Sequence, residues 1–480
     1  MPNRKKKIHK IGLVDADLLC NGTRHPNLAL LKIAGYFRDN GFKRNNEDME
    51  LECESTYELL TNDCNFEKLQ SFDYIYVSCV FTFTRDNPPA LLSYLMCDKK
   101  LKKRVVMGGT GSYANLSVED GFIEKRAADM ENLEKDKYLQ SLPHNGINMR
   151  TQMPDYHLYD DFVGVMEMTR KSKNYYKDYK KYSIGFLTRG CFRRCPFCVN
   201  KMEHITLPYS KLDDFLDNEK DENTGKLKRP YIYLWDDNFL ASRYWKELLL
   251  ALINTGRPFQ FRQGLDERIL AQSKHGEEMA KMLASSNYHG DFIFAFDNWF
   301  DRKLIVRALK IWKFHCPKRE TKFYLFCGFK QTLNDDKSFQ QDIARIFMRI
   351  KILMNYGCLG YIMRHEDYKS SPMPNIYIQI ARWCNQPGFY RNLSFWQYCY
   401  KNQTYWEEHR LGIKHDRLKT YEEFLDDFKN GYYSDKKICR TLQTVHDFLE
   451  QHKEHKDLFL SFFNLSFREM IEPSLWERNN

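Results

Sequence analysis

No run of 18 apolar residues occurs anywhere in the 480-residue chain, so no membrane-spanning helix is expected. The opening stretch, MPNRKKKIHKIGLVDADLLCNG, starts basic, but Asp15 and Asp17 interrupt its apolar part and it does not read as a secretory signal. Repeats and low-complexity tracts are missing too. Fifteen prolines among 42% hydrophobic residues argue against a disordered chain. Acidic residues are outnumbered by basic ones, leaving a net charge of +10. Much of that excess sits in two short runs, 4–7 and 99–104, of a kind that usually faces water. It permits an anionic partner such as nucleic acid without requiring one. Fourteen cysteines without a secretory signal point to a reducing, cytoplasmic compartment. There cysteines serve as thiols, small buried hydrophobes or metal ligands, and rarely as disulfides.

What is present is an alternation of strand and helix, over a length that suits about two to four domains. KIGLVDAD (10–17), MELECES (49–55), FDYIYVSCVF (72–81) and KRVVMGG (103–109) read as strands. Between the first two, HPNLALLKIAGYFRDNG carries a helical apolar stripe of Leu28, Leu31, Ala34 and Phe37, with Gly41 as a stop. The pattern predicts an α/β chain opening with a Rossmann-like parallel sheet over 1–123. A polar connector follows over 124–180, with EKRAADMENLEKDKY as a surface helix.

From 181 the alternation restarts. Six strands are expected at 182–190, 231–238, 258–266, 291–297, 322–329 and 359–368, most of them followed by a helix-length amphipathic stretch. Six units suit an open, partial (β/α) barrel over 181–385, whose chemistry gathers at the C-terminal strand ends. Residues 386–480 read as a charged helical region.

Directly after the first of these six strands comes TRGCFRRCPFCVNK, with Cys191, Cys195 and Cys198. Three thiols at this spacing can grip a metal, yet structural zinc and iron–sulfur clusters usually take four protein ligands. Two interpretations stand. A zinc site would add His204, the nearest candidate. A four-iron cluster on three thiolates would leave one iron open, as catalytic metals require and structural ones avoid.

Cys-x3-Cys-x-aromatic-Cys at this place resembles the radical S-adenosylmethionine superfamily. The resemblance implies a 4Fe-4S cluster on Cys191, Cys195 and Cys198, with S-adenosylmethionine bound through its amino and carboxylate groups to the open iron. It implies reductive cleavage to methionine and a 5′-deoxyadenosyl radical, fed by a one-electron donor such as flavodoxin or ferredoxin. Phe197 matches the aromatic residue near the adenine. LWDDNF (234–239) is similar to the second-strand motif of the branch with cobalamin-dependent and methylthio-transferring members, which places Asp236 and Asp237 near the amino group. An Asp or Asn there would equally cap a following helix. Gln263 and Asp297 stand at the third and fourth strand ends, and Arg364, His365 and Glu366 at the sixth, where such barrels hold cofactor or substrate. Only one of Arg262 and Gln263 can face inward. Cys327 ends the fifth strand and reads as a buried structural thiol.

The first 123 residues resemble the cobalamin-binding domains joined to radical enzymes, with Gly108, Gly109 and Gly111 in the late glycine-rich loop. No Asp-x-His-x-x-Gly stretch supplies a histidine for cobalt. Bound cobalamin, a second cluster on Cys20, Cys53 and Cys79, and a scaffold without cofactor all stay open. A dinucleotide fingerprint, GTGSYA from Gly109 to Ala114, follows the fourth strand rather than the first, the wrong place for one. PNLALLKI, VFTFT and LTRGCFRRCPFC also resemble stretches of a group of bacterial and phage proteins, which brings no reaction with it. Radical methylation on cobalamin, hydrogen abstraction without it, methylthiolation of RNA and a zinc-dependent nucleic-acid-binding module are the functions these motifs allow. The substrate stays unnamed.

Overall fold

The computed structural model describes residues 9–45, 54–81, 84, 87–109, 147–169, 175–198, 200, 204–330, 335–433 and 437–471. Two compact units divide the chain, residues 1–260 and 261–480.

The first unit opens with five strands: β1 (Lys10–Asp15), β2 (Lys43–Arg44), β3 (Thr56–Leu59), β4 (Tyr74–Ser78) and β5 (Val105–Gly108). They lie in the order β2-β3-β1-β4-β5 and pair in parallel throughout. From β1 the chain runs to the edge at β2, returns to β3 beside β1, then crosses to β4 and β5 on the other side. This is the doubly wound arrangement, with its switch point where β1 meets β4. Ile11, Leu13 and Val14 are fully buried, as a strand covered on both faces demands. Asn27 caps the helix Leu28–Asp39 by accepting from the Leu30 amide at 3.2 Å. Leu28, Leu31, Ala34 and Phe37 are its buried stripe, as the periodicity predicts. The strand expected at 49–55, the helix expected in EKRAADMENLEKDKY and Gly111 lie wholly or mostly outside the described residues.

Residues 147–159 run along this sheet domain. The Asp155 amide donates to Leu31 O at 2.8 Å, and the Tyr57 hydroxyl donates to Asp155 Oδ2 at 2.7 Å. Next to it, Tyr156 reaches the following strand: its buried hydroxyl accepts from the Ile184 amide and donates to Phe215 O, both at 2.7 Å. Tyr156→Phe is expected to lower unfolding free energy by roughly 1–3 kcal/mol, because two buried backbone groups lose their partner. Urea denaturation checks this; an unchanged midpoint would show that the hydroxyl ties nothing.

The later strands are β6 (Tyr182–Gly185), β7 (Thr188–Arg189), β8 (Leu207–Pro208), β9 (Tyr231–Leu234), β10 (Phe259–Phe261), β11 (Phe292–Ala295), β12 (Thr321–Cys327) and β13 (Leu359–Arg364). All six strands expected after residue 181 are present. They form two sheets of three, β10-β9-β6 and β11-β12-β13, and β7 and β8 make a small antiparallel pair. Leu265, just past β10, makes an isolated parallel bridge to Phe294. Helices Trp245–Asn254, Gly276–Ser285, Arg302–His315 and Asp336–Asn355 separate the strands. After Asn385 the described chain is helical, and Phe395, Phe448 and Phe463 pack with Phe347 and Trp383 in the core of the second unit. No helix among the described residues is long and apolar enough to cross a membrane.

Candidate functional site

Gly185 at the end of β6 pairs with Leu234 at the end of β9, and the parallel register makes the two chains leave the sheet side by side. The Trp235 amide continues the ladder to Gly185 O at 3.0 Å. Beyond that point side chains take over. Asp236 Oδ2 accepts from the Leu187 amide at 3.2 Å. Its Oδ1 accepts from the Thr188 amide at 2.5 Å and the Thr188 hydroxyl at 2.6 Å. Asp237 Oδ2 accepts from the Gly190 amide at 2.8 Å and stands 3.5 Å from Arg189 Nε. Asn238 Nδ2 donates to Cys191 Sγ at 3.3 Å. Three consecutive residues after β9 therefore hold five consecutive residues that end on the first cysteine.

The loop needs this support because its backbone turns sharply. Gly190 has φ 95°, a left-handed conformation that glycine tolerates and side chains resist. Its carbonyl accepts from the Thr206 hydroxyl at 3.0 Å, which fastens the loop to the segment entering β8. Beyond Gly190, the Cys198 amide donates to Cys195 O at 3.0 Å in a tight turn. Cys191, Cys195 and Cys198 are half-buried cysteines outside any disulfide, and Phe197 between them is half-buried as well.

Among the described residues, no three His, Cys, Asp or Glu side chains gather as around one metal ion. His204 is exposed. A lone zinc asks four donors to surround one point. A four-iron cluster instead gives each thiolate a separate iron corner. Three cysteines on one loop behind a carboxylate-held backbone, with an amide N–H aimed at one sulfur, fit the cluster.

Asp236 is only 3% exposed. Burial pushes its carboxyl up to about 7, against the opposing hydrogen bonds from Thr188 and Leu187. Both of its oxygens face the loop backbone, whereas the resemblance placed it at a ligand's amino group. The side chain of Asp237 is 22% exposed, so it is the acid of the pair that a ligand can reach. Asn238 does not cap the short helix Phe239–Ala241; its side chain turns to the sulfur instead.

Gln263 and Asp297 belong to the second unit. Gln263 is exposed, while Arg262 lies beside the buried phenols of Tyr288 and Tyr324, so Arg262 is the member of the pair that faces inward. Burial pushes the Asp297 carboxyl up to about 6, with Arg349 and Arg268 pulling the other way. The Arg349 guanidinium donates to Phe296 O, Asp297 O and Phe326 O at 2.7, 3.0 and 3.0 Å, holding the ends of β11 and β12 together. Arg268 pairs with Asp266 at 2.6 Å and Asp301 at 2.7 Å. The His365 ring accepts from the Asp367 amide, and Arg364 covers the Tyr368 ring. Cys327 is buried, and burial raises its thiol well above the ordinary range.

At the switch point of the first sheet, ligands of doubly wound folds lie outside the C-terminal strand ends. Here protein fills that place. Asp15 Oδ2, at the end of β1, accepts from the Tyr159 hydroxyl at 2.8 Å. Tyr159 also accepts from the Asn27 amide at 3.2 Å, and Asn27 Nδ2 donates to Ser78 Oγ at 2.8 Å at the end of β4. Asp17 accepts from the Val80 and Phe81 amides at 2.6 and 3.2 Å. Asp15, Asp17, Asn27 and Ser78 are all buried. A Cβ on Gly109 would stand 2.2 Å from Cys79 O, so the neighbouring loop takes the space that the glycine leaves. No atom lies within 4 Å of a Cβ on Gly108. Among the described residues, the polar groups at these strand ends bind one another. The thiols of Cys20 and Cys79 donate to Asn87 O and Phe81 O at 3.4 Å, and Cys53 lies outside the described residues. The chain mixed with hydroxocobalamin is expected to leave a gel-filtration column without corrinoid absorbance; retention of about one equivalent would show that these strand ends yield to it.

Thr188, Thr206 and Asn238 escape a reading of motifs because each acts on a partner far along the chain. The signal that finds them is the pairing of β6 with β9, which sets residues 236–238 beside 187–191.

No family model matches the chain, and no curated protein does. Among solved structures it is similar to the apo, selenomethionine-labelled cobalamin-dependent S-adenosylmethionine radical enzyme OxsB. The TM-score is 0.32 at 14% identity, over 75% of this chain and 49% of that one, so the match spans about half the length of OxsB.

Proposed function

We propose that the chain is a radical S-adenosylmethionine enzyme. The observation that carries this is the hold of Asp236, Asp237 and Asn238 on the loop that leads into Cys191, with the three cysteines in the loop that follows a parallel strand. Cys191, Cys195 and Cys198 would hold a 4Fe-4S cluster, which would supply the electron for reductive cleavage of S-adenosylmethionine and so the start of radical chemistry on a substrate. Asp236 keeps the loop in place through Leu187 and Thr188. Asp237 fixes Gly190 and is the acid nearer to the amino group of S-adenosylmethionine. Phe197 supports the adenine.

The electron comes from a one-electron donor such as flavodoxin or ferredoxin. Phe192, Ile205 and Leu207 are exposed around the loop, and Arg194 adds positive charge for an acidic donor. Anaerobic reconstitution is expected to give about four irons and four sulfides per chain. It is also expected to yield 5′-deoxyadenosine when dithionite or a reduced donor protein is supplied. Zinc without sulfide would sink the proposal, and turnover with dithionite but with neither donor protein would remove that partner.

A further inference from the structure

Asn238 sits where a hydrogen-bond donor changes the chemistry of a cluster rather than the shape of a loop. Its side-chain nitrogen is 3.3 Å from Cys191 Sγ, and the residue is 3% exposed. A thiolate accepts hydrogen bonds and cannot donate them, so the amide N–H is the end that must face it. The side chain makes no helix cap, so capping does not account for its orientation. Asp236 and Asp237 complete the mechanical hold on residues 187–190, and only Asn238 reaches past the backbone to a sulfur.

We infer that Asn238 tunes the reduction potential of the cluster through its N–H···S bond to Cys191. The inference rests on the cluster proposed above. Reduction adds one electron from the donor to the cluster; the donor is oxidised by one electron, and no bond forms or breaks at Asn238. The added negative charge spreads onto the thiolates, where a buried N–H dipole stabilises the reduced form more than the oxidised one. Hydrogen bonds to cluster sulfurs are among the levers that set such potentials. The bond therefore raises the potential and lets a weaker donor fill the cluster. The two neighbouring carboxylates act in the opposite direction, so the amide is the favourable member of the triplet.

The test is an EPR-monitored redox titration of the reconstituted protein without S-adenosylmethionine. In Asn238→Leu the potential should fall, with the reduced-to-oxidised ratio at a fixed poise dropping roughly tenfold, or about 59 mV for one electron. Asn238→Asp, which adds charge and cannot donate when ionised, should fall further. Equal potentials in wild type and Asn238→Leu, with full iron and sulfide in both, overturn the inference while leaving the cluster standing. Loss of iron and sulfide already in the wild type overturns the cluster itself. Where the variants hold no cluster, the wild type decides. Reduced protein labelled with 15N-asparagine should show a coupled 15N in pulsed EPR, and absence of that coupling overturns the inference.

Discussion

Replacing Cys191, Cys195 and Cys198 together with alanine is expected to abolish iron and sulfide binding and to remove reductive cleavage of S-adenosylmethionine down to background. The effect is all-or-none because thiolate ligation is the only bond between the proposed cluster and the chain. The fold should survive. The three thiols are half-buried loop residues outside the described core clusters, and the hold of Asp236 and Asp237 ends at Gly190. Iron and sulfide assay, 5′-deoxyadenosine yield and the urea midpoint separate these outcomes. A triple variant that still carries four irons and cleaves would end the proposal, and one that unfolds would instead assign the cysteines to packing.

Asp236→Ala is expected to produce the largest loss of stability near the site, about 2–6 kcal/mol. Two buried amides, of Leu187 and Thr188, lose their acceptor, at about 1–3 kcal/mol each. Reconstituted iron should then leave the variant faster, since the loop before Cys191 has lost its anchor. The same residue gives a signed dependence on pH. Its folded carboxyl sits at about 7, above an ordinary value of about 3.9 in the unfolded chain. The folded state thus holds the proton more tightly. The resulting stability is fully present below about pH 4 and is lost as pH rises through about 7. The urea midpoint of the metal-free protein should fall between about pH 5 and 7.5. Asp15, also raised to about 7 by burial, adds a slope of the same sign. Asp236→Asn should flatten the profile only in part, and an unchanged slope would show that Asp236 does not titrate in this window.

Much of the architecture is legible in the sequence because it depends on local pattern. The stripe of Leu28, Leu31, Ala34 and Phe37 predicts its helix, and the β-branched and aromatic runs place all six later strands. Their ends come out shorter than predicted: β9 stops at Leu234, and β10 covers only 259–261. The polar residues that follow turn out of the ladder to bind backbone or face solvent. The cysteine spacing is legible for the same reason, since one short loop contains it. What stays hidden depends on distant partners. Nothing local says that Tyr159 closes the switch point on Asp15, 144 residues earlier. Nor does it say that Asp236 turns both oxygens toward the loop, or that Arg262 rather than Gln263 faces the buried tyrosines. The split of six strands into two sheets of three is likewise set by pairing rather than by composition.

The hold on the cysteine loop also has a timing. Leu187, Thr188, Gly190 and Cys191 find their side-chain partners 47–49 residues further along the chain. During synthesis, therefore, the three thiols emerge from the ribosome well before the residues that set their backbone. Until Asn238 has been made and β9 has paired with β6, the nascent loop lacks its anchors and offers only loose thiols to metal. If the loop holds the proposed cluster, a loop shaped for it exists only once that later strand has been made.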